Sequence, residues 1–322
     1  MRRLFANANY DFIGPRRLWL TISAAAIVVS LAAAIFWQVR DGSWVNYGVD
    51  FSGGSAIQIR IAGDLIDITP VRSVASAAVP GATVIEFGEH NEFLIRVPGT
   101  ESDAATETSQ AILQALRAEF GAERVVLDRE ESVSAKVGSE LQTRALLAIL
   151  LSFAATLIYL AFRFEWRFGV AAIIATAHDI ILTLGLLSIL RLEVSLTTVA
   201  AVLTIVGYSL NDTIVIFDRI RENLQTARRP DLIAVLNRSI NETLPRTVLT
   251  TGTTIVTLLA LFLFGGVIIR DFALILIAGI VLGTYSSICV AAPALYEIEK
   301  RYPHEQKHVK RPRTSVAKPS RV

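Results

Sequence analysis

Asn211 and Asp212 interrupt an otherwise apolar run at 195–217, and Arg246 lies near the start of another at 243–267. Ionisable groups inside a membrane are costly unless paired or hydrated, so each is a candidate for function. Asp212 stands five residues before Phe217, about 7–8 Å inside the end of its run at about 1.5 Å per residue. Arg246 sits at a similar depth on the next run, so carboxylate and guanidinium could pair. Apolar burial favours a neutral carboxyl and a nearby guanidinium favours a charged one. A group held between these influences can take up and release a proton. The competing reading makes both residues interfacial, reaching headgroup water, and residue types and depth leave the two readings equal.

His178 and Asp179 form a second polar site, at the middle of the run 168–190. They are part of a proton or water path, or a hydrogen-bonded clamp onto a neighbouring helix. No other ionisable residue lies at the bilayer centre to relay to, which points to the clamp. Asn211 belongs with His178 and Asp179 as a candidate secondary polar site.

Other chemistries find no support. Residues 48–55 (GVDFSGGS) are glycine-rich but lack the Gly-Lys-Ser/Thr ending of a phosphate loop. One cysteine, Cys289, forms no intramolecular disulfide, and four scattered histidines do not make a zinc site. No paired catalytic Asp, Ser–Lys or Ser–His arrangement is present. A non-enzymatic protein without cofactor or metal is expected.

The elements that must position these residues are membrane helices. Of the 322 residues 52% are hydrophobic, more than a soluble domain usually carries. Six stretches reach the roughly 20 residues a spanning helix needs: 18–37, 141–162, 168–190, 195–217, 243–267 and 272–296. The first is too long for the apolar core of a cleavable signal and is read as a retained helix. Lys and Arg fix the expected orientation, because cytoplasmic loops are the basic ones. With the N-terminus inside, Arg16, Arg17, Arg163, Arg167, Arg219, Arg221 and Arg238 are cytoplasmic, whereas the two short outer loops hold only Arg191 and Arg270. The expected organisation is a cytoplasmic N-terminus (1–17), a first transmembrane helix (18–37), an exported domain (38–140), transmembrane helices two to six (141–296) and a basic cytoplasmic tail (297–322). The tail reads as a topology anchor rather than a nucleic-acid arm.

Within the exported segment, residues 56–61 alternate like a strand and 69–78 read as a helix capped by Thr69, with Pro70 at its first position. Strands at 83–87 and 92–97, an amphipathic helix at 103–120 and a strand at 124–128 complete a β-α-β-β-α-β order. That order predicts a small ferredoxin-like sandwich. The fold class is therefore an α-helical polytopic membrane protein with six transmembrane helices and a small α+β exported domain. Gly279 and Gly283 offer a small-residue face for close helix packing.

The motifs Val49-Asp50-Phe51-Ser52-Gly53-Gly54, Phe164-Glu165-Trp166-Arg167 and Ala177-His178-Asp179 resemble the SecF-type members of the SecD/SecF family of bacterial protein-export membrane proteins. So do residues 207–213 (GYSLNDT), 217–223 (FDRIREN), 243–247 (TLPRT) and 283–287 (GTYSS), and the likeness runs from about Asp11 to Ala294. The resemblance implies half of an RND-type bundle, completed by SecD. It also implies use of the proton gradient to draw preproteins out of the SecYEG channel after SecA, with YajC and YidC as further partners in the bacterial plasma (inner) membrane. By the same resemblance Asp212 and Arg246 belong to the proton path. Pro245, directly before Arg246, departs from an ordinary helix interior and should bend or start that helix. The alternatives are a non-energised scaffold of the channel, or half of a small-molecule RND-type exporter. An exported module of only about a hundred residues disfavours the exporter.

Overall fold

The computed structural model describes residues 8–86, 91–98, 102–226 and 231–302. Helix α1 (Arg16–Asp41) is followed by a short strand β1 (Asn46–Tyr47) and one helical turn α2 (Val49–Ser52). Then come β2 (Gly54–Ile61), α3 (Ile68–Ala78), β3 (Thr83–Glu86), β4 (Glu92–Pro98), α4 (Ser102–Phe120) and β5 (Val125–Val133). The rest is helical: α5 (Ala135–Arg163), α6 (Trp166–Leu190), a two-residue strand β6 (Glu193–Val194), α7 (Leu196–Thr226), α8 (Leu232–Phe264) and α9 (Gly266–Ser286). A π-helical turn, Ser287–Ala291, carries α9 into α10 (Ala292–Arg301). Among the described residues six helices are long and apolar enough to cross a membrane, the sixth running from α9 through α10.

Strand order β3-β4-β2-β5, antiparallel throughout, is the split β-α-β arrangement expected from the pattern. Ile57, Ile59 and Ile61 alternate inward from β2 to meet Phe93, Ile95, Ile112 and Leu116. Two details differ from the sequence reading. The cap of α3 is Asp67, whose carboxylate accepts from the Thr69 N–H at 3.3 Å, so Pro70 lies inside the first turn. Strand β5 extends to Val133 because β2 offers a partner along its whole length, with a register shift opposite Gln58 and Ile59. Of the turn expected at 88–91 only Asn91 is described, with φ +67°, and of the expected tail 297–322 the part from 303 lies outside the described residues.

The residues 48–55 are where the domain fastens to the bundle. Gly53 has φ +70° and ψ 168°, a region that costs a side chain of order 1–3 kcal/mol. A Cβ there would also lie 2.7 Å from the Ala135 Cα, and a Cβ on Gly138 would lie 2.9 Å from the Phe51 carbonyl oxygen. Glycine is thus required for α2 and the start of α5 to touch. Gly53→Ala is expected to lower the thermal stability of the detergent-solubilised protein by about 2 kcal/mol or more. Gly169→Ala, whose Cβ meets nothing within 4 Å, should leave it unchanged.

Helices α7 and α8 exceed their apolar runs. Helix α7 continues to Thr226 and α8 begins at Leu232, so the polar stretch 218–244 is mostly the flanks of two long helices. Pro245 consequently sits inside α8, neither starting nor ending it. It deprives the Asn241 carbonyl of its usual donor. Bonds from elsewhere hold this turn. Asn241 accepts the Tyr10 N–H at 2.9 Å and donates to the Tyr10 carbonyl at 2.8 Å, while Asn237 accepts the Phe12 and Ile13 N–H groups at 2.9 and 3.0 Å. Asp11 beside them accepts from the Gly14 N–H and the Asn237 amide, which hold its carboxyl below the usual range. In the adjoining core Phe164 and Phe168 stack and Phe217 meets both edge-on, its ring centroid 5.4 Å from that of Phe168.

Candidate functional site

Helices α7 and α9 approach closely because Gly279 and Gly283 of α9 leave room for Ile205 and Ser209 of α7. A Cβ on Gly279 would lie 2.2 Å from Ile205, and one on Gly283 would lie 2.8 Å from the Ser209 Cβ. The small-residue face expected from sequence thus has a specific consequence: it brings the hydroxyls that follow Gly283 against the polar residues of α7.

The geometry there ties the His178–Asp179 site to hydroxyls of α7 and α9. Asp179, 1% exposed, accepts hydrogen bonds on one oxygen, Oδ2, from Ser209 of α7 and from Ser286 of α9 at 2.7 Å. Its Oδ1 faces His178 Nδ1 at 2.9 Å. One carboxyl therefore ties three helices. One turn beyond Ser209, Thr213 meets the Ser287 hydroxyl at 2.8 Å, and Ser287 donates to the Gly283 carbonyl at 2.9 Å. Ser287 opens the π-turn. Such turns change which residues face a neighbouring helix and recur at functional sites.

Asp212 differs from Asp179. It is buried (4% exposed) and its Oδ2 has no hydrogen-bond partner. The positive charge acting on it is that of Arg246, an exposed residue of α8, and no ion pair within 4.0 Å joins the two among the described residues. Asn211, its chain neighbour, is exposed and points elsewhere. A buried carboxyl with an unmet oxygen and a cation at longer range can exchange a proton through intervening water. A carboxyl gripped by two hydroxyls, like Asp179, is held for binding helices.

Sequence reasoning missed Ser209, Thr213, Ser286 and Ser287. The available signal was their spacing: 209 and 213 share a face of α7, and 286 and 287 follow the small-residue face at the positions next to contact it.

Residues 113–301 match the family model for protein export membrane protein SecD/SecF, C-terminal. This chain belongs to the SecD/SecF family. Among SecD/SecF proteins it is 45% identical to the protein translocase subunit SecF of Gemmatimonas aurantiaca over 310 residues, covering 94% of this chain and 91% of the relative. It is also 38% identical over 269 residues to the protein translocase subunit SecDF of Thermus thermophilus, covering 82% of this chain and 35% of that one. The crystal structure of SecDF, a translocon-associated membrane protein from Thermus thermophilus, superposes with a TM-score of 0.79 at 36% identity. That match covers 92% of this chain and 39% of SecDF, so this chain spans well under half of the fused protein. Its fold class, a six-helix membrane protein with a small sheet domain, is the one SecDF shows over the shared part.

Proposed function

We propose that this chain is the SecF-type subunit of a protein-export machine and couples proton movement at Asp212 to work by the exported domain on an emerging preprotein. The observation that carries the reading is the buried, unpartnered oxygen of Asp212 on α7, with Arg246 on the adjoining α8, in a chain of the SecD/SecF family. The protein acts as a transport subunit rather than an enzyme. SecD is the proposed partner, since SecDF of Thermus thermophilus is named for both halves on one chain. The bundle has room for it: only 11% and 6% of the spanning windows of α1 and α5 are buried, against 56% in α6. Polar groups in lipid need protein or water around them, and a second half-bundle supplies both. SecYEG, SecA, YajC and YidC complete the proposed assembly.

The gradient-dependent part of preprotein uptake into inverted vesicles tests the coupling. Arg246→Lys keeps the charge but replaces a planar fork by a point donor. A loss of about two- to tenfold is expected in that part alone; wild-type coupling would remove Arg246 from the path.

The proposed setting is a bacterial plasma membrane with both termini cytoplasmic, residues 38–140 outside and 297–322 inside. Cysteine probes at Ser132 and Leu65, both exposed, should react from outside intact cells. A probe at Arg238, exposed on α8, should react only after permeabilisation. Ser239 is a poorer inner reporter than its polarity implies, being fully buried and bonded to Asn223 at 2.9 Å. Labelling at Arg238 in intact cells would reverse the orientation.

A further inference from the structure

The exported domain could feel the bundle through α1 and α5, the helices that continue into it, or through contacts at its base. The base contacts converge on α7, the helix that carries Asp212. Strand β1 pairs in parallel with β6, Asn46 opposite Glu193 and Tyr47 opposite Val194. The Asp50 carboxylate accepts the Leu196 N–H at 2.9 Å, at the first residue of α7. Thr198 of α7 donates to the Glu193 carbonyl at 2.8 Å. Gly48 leaves the space through which the Glu193 carboxylate passes, since a Cβ there would lie 2.3 Å from its Oε1.

That carboxylate meets Arg96. Strand β4 sends Phe93, Ile95 and Val97 into the domain core, so Arg96 projects from the opposite face of the sheet, toward the ends of the membrane helices. Its side chain is 14% exposed, and Nη2 donates to Glu193. Burial pushes the Arg96 guanidinium below its ordinary value, and the Asp271 carboxylate near the start of α9 opposes this. Beside the contact a cavity of about 320 Å³ separates the sheet from the helix ends and is lined by Ala56, Gln58 and Leu94 on one side and Leu196, Asp271 and Phe272 on the other. The sheet therefore does not rest flush on the helices there, and the charged contact joins the two at the edge of the cavity, where Glu193 is among its lining residues.

We infer that Arg96, gripping Glu193 just before the head of α7, is the positioning residue that transmits displacement of α7 to the exported domain. The inference rests on the proton-coupled reading above and adds the route. A helix is stiff along its axis, so a shift at Asp212 reaches Leu196, 16 residues away and about 24 Å along α7. The connections through α1 and α5 then act as tethers.

The test uses the full chain with SecD, SecYEG and SecA in proteoliposomes. Uptake of a preprotein is measured with and without a proton gradient, and nitroxide labels at Leu65 and Leu190, both exposed, report the distance from domain to bundle. Arg96→Glu is expected to broaden that distance distribution. It should cut the gradient-dependent part of uptake at least fivefold while leaving the gradient-independent part and the protein level unchanged. Adding Glu193→Arg to Arg96→Glu should restore at least half of the loss and narrow the distribution. Full gradient stimulation in Arg96→Glu, equal loss of both parts, or no recovery in the swapped pair overturns the inference. If Arg96→Glu does not accumulate, Arg96→Gln is read by the same criteria for uptake and distance. Asp212→Asn is run alongside. If it keeps full stimulation, the proton-coupled reading falls, and the label distances still decide whether Arg96 holds the domain to α7.

Discussion

Inverted vesicles carrying Asp212→Asn are expected to lose essentially all proton-gradient stimulation of preprotein export while keeping normal levels of the protein and of its complex with SecD. Asparagine matches the carboxyl in size and offers similar hydrogen bonding, but it cannot cycle a charge. The substitution should be mild structurally, because Asp212 Oδ2 already lacks a partner and a neutral amide removes a buried charge rather than a bond. The energy at stake is adequate. One charge crossing the membrane yields about 2.3 kcal/mol per 100 mV, enough to shift a two-state equilibrium by roughly fiftyfold. In the proposed coupling, protonation would remove the attraction between Asp212 and Arg246 and loosen α7 from α8. If vesicles with Asp212→Asn export as well as wild type under a full gradient, the carboxyl is structural and the scaffold reading takes over.

Asp179 should respond in the opposite way, and the choice of substitution decides the result. Asp179→Ala strands the Ser209 hydroxyl and the His178 ring, both buried, and leaves Ser286 only the Gly283 carbonyl as acceptor. Side-chain hydrogen bonds between membrane helices average about 0.6 kcal/mol each, and the cavity adds to that, so a loss of about 2–4 kcal/mol is expected. Severalfold lower accumulation and weaker recovery with SecD would report it. From sequence, even Asp179→Asn is expected to weaken assembly. The geometry changes that expectation, because both serines donate to the same oxygen. An asparagine carbonyl placed there accepts both, and its amide can donate to His178 Nδ1 if the ring carries its proton on Nε2. Asp179→Asn should therefore hold protein level and gradient-driven export within about twofold of wild type. Loss of gradient-driven export at normal protein level would instead make Asp179 a second proton carrier.

Several features were legible because they follow from short-range chemistry. Apolar runs of the right length mark the six spans, and alternation in residues 56–61 marks the central strand with Ile57, Ile59 and Ile61 inward. The order of strands and helices between the first two spans predicted the sheet there. Asp212, Arg246, His178 and Asp179 could be named because an ionisable residue in an apolar run is conspicuous whatever surrounds it. Helix ends were less legible: α7 and α8 run on past their apolar cores, since polar flanks are as helical as apolar ones once a neighbour packs against them. Pro245 read as a bend or a start, whereas Asn237 and Asn241, bonded to a segment more than 220 residues away, keep α8 continuous through it.

By itself, the sequence determined how many helices cross, which residues are costly in a membrane and what small fold lies between the first two spans, because composition and periodicity decide these locally. Only the tertiary structure decided which partners the polar residues meet. Asp179 and Asp212 look alike in the sequence, two acidic residues in apolar runs. They differ because close contact between α7 and α9 at Gly279 and Gly283 brings serine hydroxyls to Asp179 and leaves an oxygen of Asp212 unmet. The same holds for Arg96, an ordinary strand residue until the fold sets it against Glu193, 97 positions away. Hydrogen bonds and ion pairs act over about 3 Å, and which groups come that close depends on helix packing, which no local pattern encodes.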